Sequence, residues 1–170
     1  MPSRSRTVPA IACVAGTLLL TSACAEVGPP ELTFYADGHT VTVEPVQYCD
    51  IEVTSCGSGG GAQGDLKVRP GQPVQISVPS EVAESPWLVN VQSVAKDGTP
   101  LPVKQEFFGQ GDAYAYTARP ANPDERIFVV EVQQIGVAYA SDAEGNPIAD
   151  EAGNPQLVAR GVWTVELQPG

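Results

Sequence analysis

The chain of 170 residues has one histidine, one methionine (its first residue), four cysteines, and nine basic residues against twenty acidic ones. Each shortage removes a class of function. So few histidine, methionine and free thiol side chains leave no ligand set for copper or zinc, and no cofactor is expected. A Ser-His-Asp site would have to use His39, directly behind an Asp-Gly turn, and the Gly-x-Ser-x-Gly elbow of many serine hydrolases is missing. Residues 57–64 are rich in glycine but lack the Lys-Ser or Lys-Thr ending of a phosphate-binding loop. The net charge of −11 works against nucleic-acid phosphates and anionic lipid headgroups alike. The longest apolar stretch, residues 8–20, is too short for a membrane-spanning helix, which needs roughly twenty residues.

What the beginning of the chain does contain is ordered. Arg4 and Arg6 make a short cationic start, the apolar stretch follows, and Ser22-Ala23 closes it with small residues, as in a secretory signal. The segment Leu18-Leu19-Leu20-Thr21-Ser22-Ala23-Cys24 resembles the lipobox of bacterial lipoproteins, with Thr21 where leucine or valine is more usual. The resemblance implies cleavage before Cys24 and acyl chains on its sulfur and new amino terminus. A buried methylene contributes about 0.8 kcal/mol and one acyl chain binds only marginally, so two or three would hold the protein at the membrane.

These features predict a signal peptide over residues 1–23, a lipid-anchored tether over 24–30 and one domain over 31–170, on the extracytoplasmic face of the cell membrane. Loss of the signal leaves seven basic against twenty acidic residues, a mature charge of −13. In that oxidising setting Cys49 and Cys56 are expected to pair. Closing so short a loop stabilises by roughly 2 to 3 kcal/mol on the chain-entropy model.

From Leu32 onward the pattern is that of strands. Leu32–Ala36 and His39–Val43 flank Asp37-Gly38, a pair that accepts the positive φ angles of a tight hairpin turn. Residues 48–56 suggest two short β pieces or an excursion stapled at its ends, and 66–69 and 73–79 follow on either side of a Pro-Gly turn. Val74, Ile76 and Val78 alternate with polar residues, as do Trp87, Val89 and Val91, and later Trp163, Val165 and Leu167; period two with one apolar face marks half-buried strands. Residues 103–108, 113–118 and 127–134 complete the set, with Phe128, Val130 and Val132 expected inward. Two Gly-Asn-Pro steps at 145–147 and 153–155 mark turns in a long solvated hairpin loop. No segment has a helical apolar period.

Eight or so short strands describe an all-β, single-domain β-sandwich. The stretches Arg69-Pro70-Gly71-Gln72-Pro73-Val74-Gln75-Ile76-Ser77-Val78, Trp87, and Gly161-Val162-Trp163-Thr164-Val165-Glu166-Leu167 resemble an immunoglobulin-like domain. They depart from antibody domains in that Cys49 and Cys56 are too close in sequence to bridge two sheets. Together with the lipobox, these segments resemble an uncharacterised family of actinobacterial lipoproteins, which implies an envelope location and supplies no catalytic residues.

The functional expectation is a non-enzymatic lipoprotein of the cell envelope that presents an immunoglobulin-like domain to a protein or glycan partner. Phe107, Phe108, Tyr114 and Tyr116 are the candidate contact residues, because consecutive Phe107 and Phe108 must face opposite sides of a strand. The alternatives are a structural or assembly accessory without a ligand of its own and, third, a hydrolase built on a carboxylate pair.

Overall fold

The computed structural model describes residues 28–57, 64–149 and 153–170. Among the described residues the regular structure is almost entirely strand, arranged in two sheets. The first has four strands in the order β2 (His39–Val43), β1 (Leu32–Ala36), β6 (Val74–Ser77) and β9 (Ala115–Ala118). The second runs β4 (Cys56–Gly57), β3 (Gln47–Cys49), β11 (Leu157–Pro169), β10 (Arg126–Tyr139), β7 (Trp87–Val94) and β8 (Lys104–Phe108). A further strand, β5 (Gly64–Val68), lies beside the C-terminal half of β11. Every pairing is antiparallel except β5 with β11.

Alternation explains why the sheets meet. β7 buries every second residue from Trp87 to Ser93, and β1 buries Leu32, Phe34 and Ala36. These residues join Val74 and Ile76 of β6, Val130 and Val132 of β10 and Trp163 and Val165 of β11 in one hydrophobic core drawn from both sheets. Each such side chain, fully removed from water, contributes on the order of 1.5 to 3 kcal/mol. The Asp37-Gly38 turn has positive φ at both residues, 48° and 85°, the geometry that suits a two-residue hairpin.

Three expectations need correction. Phe128 is only half-buried, and Ile127 takes the core position, because a register shift between Ile127 and Val129 changes which residues face inward. One short helix, α1 (Ser80–Ala83), is present; it packs Val82 and Ala83 into the core, and a single turn is too brief to leave a period. The 135–158 segment is less of a loop than expected. β10 continues to Tyr139 and β11 begins at Leu157, both beyond the last β7 pairing, Trp87 with Gln134. This continuation is a two-stranded arm past the end of the sheet. Isolated bridges Ser141 to Pro147 and Ala149 to Pro155 order the connection beyond it.

Strand directions give the domain two ends. At one, the N-terminal pole, lie the start of β1, the start of β7, the arm and the disulfide loop. At the other, the far pole, lie the Asp37-Gly38 turn, the Pro70-Gly71 turn and residues 119–125. Glu125 is buried there: it accepts from the Ala121 N–H at 2.7 Å and the Lys104 ammonium at 3.1 Å. Its own carbonyl accepts from the Gly71 N–H.

Candidate functional site

The outer face of the four-stranded sheet is built from the residues that alternate with the core. Register places Thr40, Tyr35, Gln75 and Thr117 in one row across the four strands, and Thr42, Thr33, Ser77 and Ala115 in the next. In a chain with twenty acidic residues, these two rows contain no charge. They offer hydroxyls, an amide and one half-exposed aromatic ring, Tyr35.

Toward the far pole the face deepens into a groove of about 380 Å³ lined by Tyr35, Gln72, Gln75, Thr117 and Arg119, with Asp37 at its rim. Asp37 is fixed by Arg69, whose Nε donates to its carboxylate at 2.7 Å and whose Nη2 donates to the other oxygen. That hydrogen-bonded guanidinium holds the Asp37 carboxyl at about 2, against an ordinary 3.8. The groove thus combines a ring face, side-chain amides, the Arg119 guanidinium and a fixed carboxylate.

The aromatic residues singled out in the sequence do not form one patch. Phe108 stacks on Trp87 with ring centroids 4.2 Å apart and meets Tyr116 edge-on at 5.7 Å, so both complete the core. Burial pushes the Tyr116 phenol up from its ordinary value, with Glu106 adding to the shift. Phe107 and Tyr114 remain exposed, at 61% and 50%. The chain between the two strands crosses from one sheet to the other, pinned where the Gly111 N–H donates to the Ala83 carbonyl at 2.8 Å.

Cys49 and Cys56 form a disulfide between directly paired positions of β3 and β4. The loop they close is internally bonded: Asp50 accepts from the Thr54 N–H and hydroxyl, both at 2.7 Å, and from the Ser55 N–H. These bonds, the Thr54 hydroxyl first, lower its pKa. Val53 of the loop reaches the arm, where a Cβ on Gly136 would lie 2.6 Å from its methyl. Beside the loop, the Arg160 guanidinium stands 4.9 Å over the Tyr48 ring and donates to the Tyr48 hydroxyl and the Cys49 carbonyl. Cys24 and the rest of the signal segment lie outside the described residues.

The carboxyl groups with marked shifts, Asp37, Asp50, Asp97, Glu125 and Asp142, are all shifted downward. A general acid for glycoside cleavage needs the opposite shift, so these five are held as anions that cap turns or meet cations. Among the described residues, no group of three or more His, Cys, Asp or Glu side chains is placed to hold a metal ion. His39 is exposed at the start of β2. Sequence reasoning missed the uncharged face. Its signal was present in the outward positions of four strands, but only sheet order brings them side by side.

Fold and surface define an all-β protein with two sheets over one core, a polar groove and a disulfide-closed loop. The chain belongs to the family described as "Protein of unknown function (DUF2771)", whose model matches residues 25–168. It is similar to the uncharacterized protein Rv0875c of Mycobacterium tuberculosis and to Mb0899c of Mycobacterium bovis. Each is 28% identical over 140 residues, covering 81% of this chain and 77% of the relative. No solved structure matches the chain.

Proposed function

We propose that this is a lipid-anchored cell-envelope protein whose immunoglobulin-like β-sandwich binds a glycan on the outer face of its four-stranded sheet, without acting on it chemically. One observation carries the reading: two adjacent rows of hydroxyl, amide and tyrosine side chains, free of charge, on an otherwise acidic chain. Sugars present hydroxyls and apolar C–H faces, which such a surface meets with hydrogen bonds and a ring. The sandwich is supported by the shared core of the two sheets. The anchor is supported by the lipobox-like residues before Cys24.

Binding of the purified protein to an array of cell-wall oligosaccharides, followed by calorimetry on any hit, tests the glycan. Tyr35→Ala is expected to weaken binding about tenfold or more, ~1.4 kcal/mol or above. Affinity unchanged in Tyr35→Ala and Gln75→Ala would remove the face from the proposal. For the anchor, mass spectrometry is expected to find acyl chains on Cys24, and Cys24→Ala to move the protein from the membrane to the medium.

A further inference from the structure

We infer that the N-terminal pole is a membrane-docking surface: the arm formed by the ends of β10 and β11, with the disulfide loop beside it, rests on the lipid to which Cys24 is attached. The inference rests on the anchor proposed above and adds a second, non-covalent contact with a fixed orientation.

Three observations on this pole converge. The chain comes into the domain there, held where the Trp163 indole N–H donates to the Pro30 carbonyl at 2.9 Å, two residues before β1. Only six residue steps separate Pro30 from Cys24, a reach of about 20 Å when fully extended. β7 alone, with eight residues, rises about 26 Å from this pole toward the other. An anchor on so short a lead brings the N-terminal pole to the lipid and leaves the far pole out of reach.

The second observation is where apolar surface is left uncovered. Ten large hydrophobic side chains are exposed among the described residues, and five of them, Ile51, Val137, Tyr139, Ile148 and Leu157, belong to the arm, its connection and the disulfide loop. Third, four of these five line a pocket of about 330 Å³ between the loop, the arm and Pro86. Its walls are mostly apolar, and Arg160 is its one cationic lining residue.

Lipid is the occupant that the tether itself supplies. A short lead holds the arm at high effective concentration against the bilayer, so weak apolar contacts suffice. The acidity of the chain opposes adhesion to anionic headgroups, which makes the contact dependent on the anchor.

The test uses the acylated full-length protein on phosphatidylcholine vesicles containing nitroxide-labelled lipid. With Cys24 acylated and Cys49 and Cys56 paired, an introduced cysteine is the free thiol available for a fluorophore. Labels at Val137→Cys and Leu157→Cys are expected to be quenched several-fold more than one at Val103→Cys, an exposed site away from this pole. Equal, slight quenching at all three sites in acylated, vesicle-bound protein overturns the docking and leaves the anchor standing. An exported protein whose Cys24 is found to have no acyl chains overturns both. Concentration-dependent cross-linking through residue 137, with no quenching there, overturns the docking in favour of a second copy.

Discussion

Gly161 is a residue where packing is tight around a missing side chain. A Cβ at this position would lie 2.5 Å from the Trp163 ring and 3.0 Å from Tyr48, so Trp163 would have to shift, and with it the bond to Pro30. Gly161→Ala is expected to cost about 1 to 3 kcal/mol, the usual range for overpacking, read as a lower urea midpoint at unchanged slope. Glu125 gives a second residue-scale prediction. Burial pushes its carboxyl up, but the Ala121 N–H and the Lys104 ammonium outweigh that and leave its pKa lowered in the folded protein. Its contribution is therefore complete above its unfolded pKa and is lost as pH falls through the lower folded one. Glu125→Ala is expected to destabilise by about 2 kcal/mol at neutral pH. That deficit should shrink in acid, as urea titrations across the range would show. Neither residue announced itself in the sequence, since a glycine and an acid near turns have ordinary readings.

At the scale of elements, what could be read ahead was local. The Asp37-Gly38 hairpin and the apolar faces of β6, β7 and β11 depend on neighbours a few residues apart, and they match the expected positions. The phase of β10 did not follow, because a register shift beside Ile127 is set by its partner strand β7. The aromatic tract divided as alternation requires, Phe108 in and Phe107 out, while the groove needed four strands in known order. The disulfide closes its own small element, so its removal acts locally. Cys49→Ala with Cys56→Ala is expected to cost roughly 2 to 3 kcal/mol. The same variant should raise amide exchange in residues 50–55 before any change in the core sheets, and uniform exchange across the domain would contradict this.

For the molecule as a whole, β11 is the strand on which the second sheet depends. It is hydrogen-bonded to β10 along one edge and to β3 and then β5 along the other. Its Trp163, Val165 and Leu167 are core residues. A chain ending before Leu157 is expected to be unfolded by circular dichroism and heat capacity, rather than merely weakened.

The pairing of β5 with β11 joins Gly64 to Val165 and Val68 to Pro169, partners about a hundred residues apart. Contacts that distant in the chain are slow to form and come late. During synthesis, then, everything through β10 is already made while the larger sheet still lacks its central strand. Until β11 emerges, β10 on one side and β3 and β5 on the other have no strand between them, and the second sheet cannot close.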